Sequence, residues 1–267
     1  DYNCDGKKDI WCYATGGIAV YKNISTGGNL EFVLTTNLVM SYYNTSYLNL
    51  YVSSIDIPSI DDIDGDGDLD VVTFSIFGTN LEYHRNLSME NHGTCDSLEF
   101  QIRNNCWGHF SESFTSSALQ LFDTCDNSNL GVAAEYIPDP TLLVNKSAPR
   151  HSGSTVLTID ENGDGVKDVL IGDVSYTKMS MLINGGASPN NNSSMIFQDT
   201  TFPSYDNPIN LKIFPAAFYE DVTSDGNRDL IVGTNTANQS ADKSSMHYYL
   251  NTGTDINPTF SFQQDNL

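Results

Sequence analysis

Four nine-residue segments align without gaps: DYNCDGKKD (1–9), DIDGDGDLD (62–70), DENGDGVKD (160–168) and DVTSDGNRD (221–229). Positions 1, 5 and 9 are always Asp, and position 6 is always Gly. Position 3 is Asn3, Asp64, Asn162 or Thr223, an oxygen donor in every copy. Alternating oxygen-only side chains suit a hard cation such as Ca²⁺, and the invariant Gly permits the positive φ that wraps a chain around an ion. Position 7 is Lys7, Asp68, Val166 or Asn227. Its free variation is expected of a ligand that contributes only its backbone carbonyl. An EF-hand needs a Glu at position 12 and flanking helices. Here position 12 is Cys12, Thr73, Ile171 or Val232, inside the runs DIWCY, DVVTF, DVLIG and DLIVG. Such short apolar, β-branched runs read as buried strands. The chemistry expected is therefore cation binding in about four loops, each leading into a strand.

Charge follows the same residues. The 267-residue chain holds 34 acidic and 12 basic residues, for a formal charge of −22. Fifteen of the acids lie in the four loops, and four Ca²⁺ would bring −22 to −14 by adding eight charges. The remainder argues against nucleic acid and against anionic membrane as partners. No run of 18 apolar residues suggests a membrane span, and residue 1 is already a ligand position, so no leader is expected within the chain. Calcium modules of modest affinity work outside cells, which predicts a secreted or cell-surface setting.

The elements that must position the loops repeat with them. Asp5 to Asp66 is 61 residues, Asp66 to Asp164 is 98, and Asp164 to Asp225 is 61 again. About twenty residues beyond each loop an apolar strand ends in Asn: IAVYKN (Asn23), LEYHRN (Asn86), SMLIN (Asn184) and HYYLN (Asn251). Turn residues follow, then in most units a further strand: LEFVLTT, SMIFQDTT, PTFSFQQ. Three loops are preceded by a candidate strand, in YVSSIDIPSI, STVLTI and LKIFPAAFYE. Four antiparallel strands per unit at this period predict an all-β chain, a β-propeller of about four blades whose first lacks its innermost strand. The expected units are 1–40, 41–150 with an insertion over about 88–150, 151–205 and 206–267. An incomplete ring would be covered by neighbouring blades of a parent chain or by a second copy. No helical period is evident.

DxDxDGxxD followed by an apolar strand, repeated, resembles the FG-GAP/VCBS repeats of integrin-α-like calcium-binding propellers. Stretches such as GTCDSLEFQIRNNCWGHFSES also look like those of large type IX-exported proteins of Bacteroidota, whose C-terminal sorting domain is not among these residues. The resemblance implies structural calcium in a secreted binding or adhesion module for protein or glycan. It implies as ligands Asp1, Asn3, Asp5 and Asp9; Asp62, Asp64, Asp66 and Asp70; Asp160, Asn162, Asp164 and Asp168; and Asp221, Thr223, Asp225 and Asp229. By carboxylate count, loop 62–70 is expected to bind most tightly and loop 221–229, with Thr223, least tightly.

Five cysteines leave at least one unpaired within the chain. A bridge among Cys95, Cys106 and Cys125 is expected to pin the insertion, with Cys4 and Cys12 as a candidate second pair. Enzyme signals are thin. The histidines (His84, His92, His109, His151, His247) form no close ligand pair, and Glu112 and Glu135 in the insertion read as solvated acids. A propeller hydrolase or lyase acting on polysaccharide is the alternative function. The tyrosine-rich SYYNTSYLNLYVSS (41–54) reads either as a sugar-stacking surface or as a blade strand with buried rings. Sequons at Asn23, Asn44, Asn86, Asn145, Asn191/Asn192 and Asn238 read as incidental to an Asn/Ser-rich surface.

Overall fold

The computed structural model describes residues 1–76, 79–112, 119–123, 125, 153–189, 191–236 and 238–265. The chain is all-β, and four antiparallel sheets form a four-bladed propeller. The first blade holds β1 (Ile10–Ala14), β2 (Gly17–Asn23) and β3 (Phe32–Thr36) in that order. The second runs outward through β6 (Ser59–Asp61), β7 (Asp70–Phe74), β8 (Leu81–Asn86) and β9 (Phe100–Trp107). A hairpin of β4 (Met40–Tyr42) and β5 (Tyr47–Asn49) extends it, with β4 lying parallel to β9. The third comprises β12 (Ser154–Ile159), β13 (Asp168–Asp173), β14 (Met179–Asn184) and β15 (Met195–Asp199). The fourth comprises β16 (Pro215–Glu220), β17 (Asp229–Thr234), β18 (Met246–Asn251) and β19 (Phe260–Gln264). A ribbon of β10 (Phe110–Glu112) and β11 (Leu119–Leu121) adjoins the third blade through Gln198, whose Nε2 donates to the Leu119 carbonyl at 3.3 Å.

DIWCY, expected as a buried strand, instead forms a largely exposed β1, because no blade covers its outer face, and Ile10 and Tyr13 are open to solvent. The runs that follow loops 62–70 and 160–168 are apolar on both sides because both sides are packed. Successive strand residues face opposite ways, so Val71 enters a cluster with Val20, Leu50 and Phe100, while Val72 enters another with Trp107, Val156 and Leu182. Leu170 likewise packs with Tyr219, Val232 and Tyr249 of the fourth blade. Three apolar seams thus join blades one to two, two to three and three to four. The inner strands meet through Ser59 Oγ and Thr158 Oγ1 at 2.7 Å, and through Thr155 Oγ1, which donates to the Pro215 carbonyl at 2.8 Å. The fourth blade returns to the first through Lys8 Nζ and Glu220 Oε2, 2.9 Å apart.

The helix content and the cysteine pairing also differ from expectation. The stretch 88–92, read without helical period, forms one short helix, α1 (Ser88–His92), ended by Gly93 at φ 68°. The candidate pairing of Cys4 with Cys12 is overturned. Cys4 is joined to Cys95 and Cys106 to Cys125, while Cys12 is free and exposed on β1. Blade adjacency brings Cys95 to the first loop, whereas Cys12 has already left it on the strand. Among the described residues no helix is long and apolar enough to cross a membrane.

Candidate metal centres in the four loops

Each loop is a nine-residue connection from the innermost strand position to the second strand. In blades two to four its position 9 pairs with the residue before position 1: Asp61 with Asp70, Ile159 with Asp168 and Glu220 with Asp229. The position-1 carboxylate organises the turn by accepting backbone N–H groups. Asp62 accepts from Gly65 (2.7 Å), Asp66 (3.1 Å) and Gly67 (3.1 Å), and Asp160 from Gly163, Asp164 and Gly165 at 2.8–3.1 Å. Asp1 and Asp221 do the same for positions 5 and 6 of their loops. Position 5 accepts the N–H of position 7, as in Asp164 from Val166 at 2.8 Å and Asp225 from Asn227 at 2.8 Å. Asp5 and Asp66 repeat the bond to Lys7 and Asp68.

Position 9 does something the spacing alone did not reveal. One oxygen accepts the N–H of the Asn that ends the third strand position: Asp9 from Asn23, Asp70 from Asn86, Asp168 from Asn184 and Asp229 from Asn251, at 2.7–2.9 Å. In the first three loops the other oxygen accepts the N–H of position 2. Asp70, Asp168 and Asp229 are wholly buried. The two recurrent signals, loop and Asn, are thus halves of one clamp.

Position 4 was also missed. It is left-handed in all four copies: Cys4 (φ 54°), Gly65 (79°), Gly163 (77°) and Ser224 (59°). The invariant position-6 glycines are left-handed too. A non-Gly residue there costs about 1–2 kcal/mol. Ser224→Gly is expected to raise stability by about 0.5–1 kcal/mol, read as a higher midpoint in thermal melting; a lower midpoint would contradict it.

The donors fit a cation best in loop 62–70. Asp62, Asp64 and Asp70 each offer an oxygen within 4.8 Å of the others, as do Asp64, Asp66 and Glu90. Among the described residues these carboxylate trios both lie at this loop. Asp64 Oδ1, Asp68 Oδ1 and, in the first loop, Asn3 Oδ1 are buried without a hydrogen-bond partner, while Asp64 Oδ2 and Asp66 Oδ2 meet only the charge of Arg85, at 2.5 and 3.8 Å. Unpaired oxygens in such numbers are costly unless a positive charge meets them. Asp68 is itself buried, and its other oxygen accepts the Met89 N–H at 2.9 Å. In loop 160–168, Asn162 is turned onto Asp164 instead, Nδ2 to Oδ2 at 2.9 Å. The loops holding Asp221, Thr223, Asp225 and Asn227 and holding Asp1, Asp5 and Lys7 are more open to solvent.

Burial also sets their protonation. It pushes the carboxyls of Asp64 and Asp68 up to about 6 and that of Asp168 up to about 7, with neighbouring carboxylates adding to the rise. Burial likewise raises Asp70 well above the ordinary range. A carboxyl whose pKa is raised by folding binds its proton more tightly folded than unfolded. The ion-free protein therefore loses stability as pH climbs from about 4 to about 7. With chelator present, melting at pH 5 is expected above melting at pH 7.5, and calcium should close the gap. A lower midpoint at pH 5 would contradict this.

The structure also assembles a Ser–His–acid group that sequence separation hid. Ser41 Oγ lies 2.9 Å from His84 Nδ1, and His84 Nε2 lies 3.4 Å from Glu82 Oε2. Ser41 and His84 are fully buried, and the Tyr43 ring packs edge-on against the imidazole at 5.6 Å. With no surface for a substrate to reach Ser41, the group instead anchors the β4–β5 hairpin to β8. Of the other candidate acids, Glu112 is buried and accepts from Ser154 Oγ at 3.0 Å, so it is no solvated surface acid; Glu135 and His151 lie outside the described residues. The tyrosine-rich stretch divides: Tyr43 is buried, while Tyr47 is exposed beside Tyr42, their centroids 5.1 Å apart.

No protein-family model and no curated protein matches the chain. A solved structure similar to it is that of a lectin of Agrocybe aegerita, described for specific recognition of non-reducing terminal N-acetylglucosamine. Identity is 15%, the TM-score is 0.37, and the match covers 99% of this chain and 64% of that one. The chain thus spans under two thirds of that lectin's length, and a superposition this loose says nothing of what this chain binds.

Proposed function

We propose that the chain is a non-catalytic, calcium-stabilised propeller module of a secreted or cell-surface protein, related to FG-GAP/VCBS repeats, that binds a protein or glycan. The observation that carries this reading is where the acidic loops lie. Position 4 of each of three loops abuts the third-to-fourth strand connection of the next blade. Cys4 is bonded to Cys95, Gly65 touches Pro189, and Gly163 touches Asn257. Carboxylates at blade joints serve assembly rather than turnover. Calcium would be held in loop 62–70 by Asp62, Asp64, Asp66 and Asp70, and in the other loops by the corresponding residues; it supplies the positive charge that lets these oxygens approach. Two disulfides accord with an oxidising compartment. Recognition then falls to exposed surface, and the Tyr42–Tyr47 pair at the hairpin is a stacking platform of the type glycans use.

A glycan array and a polysaccharide-degradation screen on one sample test this. The expected result is retention without release of new sugar ends, weakened by Tyr47→Ala. Sustained polysaccharide cleavage would overturn the non-catalytic reading.

A further inference from the structure

The residue just before the clamp Asn is Lys22, Arg85, Ile183 or Leu250. Two of the four are cations, in a chain with only 12 lysines and arginines. Both approach the loop of their own blade. Lys22 Nζ lies 3.7 Å from Asp5 Oδ2, with both side chains partly exposed. Arg85 goes deeper. Its Nε lies 2.5 Å from Asp64 Oδ2 and its Nη2 3.8 Å from Asp66 Oδ2, and the guanidinium also pairs with Glu90 of α1.

Asp64 is common to both carboxylate trios, Asp62–Asp64–Asp70 and Asp64–Asp66–Glu90. The guanidinium occupies the second. Its side chain is 22% exposed, whereas that of Asp64 is 1% exposed. The contact is one of charge at close range: neither Arg85 Nε nor either oxygen of Asp64 makes an aligned hydrogen bond. A metal ion in the first trio would take the same carboxylate as a ligand.

We propose that Arg85 is a tethered cation that competes with an external metal ion for Asp64. Loop 62–70 then stays assembled without metal but binds it more weakly than its carboxylates alone would. This rests on reading the loops as cation sites, and it reverses the ranking by carboxylate count for this loop. Loops 160–168 and 221–229, with Ile183 and Leu250 at the equivalent position, carry no such internal charge there.

Terbium luminescence tests it, because Tyr83 OH donates to Asp70 Oδ2 at 3.1 Å and stands ready to sensitise an ion in this loop. Emission lost in Tyr83→Phe reports loop 62–70. Arg85→Met and Arg85→Gln are expected to tighten that component about tenfold, since each removes a positive charge from beside the ion. Both should also lower the melting midpoint in chelator. Arg85→Lys, which keeps the charge, should stay within about twofold of the parent. Unchanged or weaker binding in the neutral variants, with Tyr83-dependent emission present, overturns the proposal and leaves the cation reading standing. No Tyr83-dependent emission in any of the proteins overturns the cation reading of this loop and the proposal with it.

Discussion

Chelation of divalent cations at pH 7.5 is expected to lower the melting midpoint of this chain by roughly 20 °C or more. A site at a hundredfold excess of ion over Kd contributes about 2.7 kcal/mol to the folded state. Four such sites contribute about 10 kcal/mol, and a chain of this size shifts by about 2–4 °C per kcal/mol. The physical source is the crowding of acids. Loop 62–70 alone holds five aspartates, with Asp64, Asp68 and Asp70 buried. Without ions the carboxylates of a loop repel one another and the turns that hold the joints loosen, least in loop 62–70, where Arg85 offsets part of the repulsion. Differential scanning calorimetry with calcium and with EGTA measures the shift. An unchanged midpoint would remove calcium from the account of this fold.

Loss of the Cys4–Cys95 bridge is the second large effect expected. The bridge closes a loop of 91 residues, against 19 for Cys106–Cys125. Chain entropy assigns about 4–5 kcal/mol to the longer loop and about 3 kcal/mol to the shorter. The double variant Cys4→Ser/Cys95→Ser should therefore melt at least about 10 °C below the parent. Cys106→Ser/Cys125→Ser should fall by less. The reverse order would show that the first blade is held by its apolar seam rather than by the covalent tie.

Much of the fold was legible because the loops announce it. Their spacing, the apolar run after each and the recurrent Asn located β7, β13 and β17 and their partners β8, β14 and β18. What was not legible depends on neighbours. Asp70 reads as a ligand position, and only the ladder shows that its two oxygens also accept from Asn86 and Ile63. Left-handed position 4 was masked because Cys4 and Ser224 stand where the other copies have Gly. The partner of Cys4 lies on another blade, so no spacing within one unit could identify it. Ser41 and His84 are 43 residues apart and meet only because the β4–β5 hairpin docks on the outer edge of a sheet that β6 begins. Arg85 read as part of an ordinary strand, since its role depends on a loop 15 residues earlier folding back beneath it.

The joints that place Cys4 against Cys95, Gly65 against Pro189 and Gly163 against Asn257 set the loops and these connections along one rim of the propeller. Fifteen of the chain's 34 acids are in those loops. That rim therefore presents a dense anionic crown. Metal ions would neutralise the crown selectively and leave the rest of the surface as it was. Ion occupancy would then turn the molecule's dipole as well as hold its blades. At ionic strengths where the field reaches beyond the surface, it would set which end of the propeller first meets a charged partner.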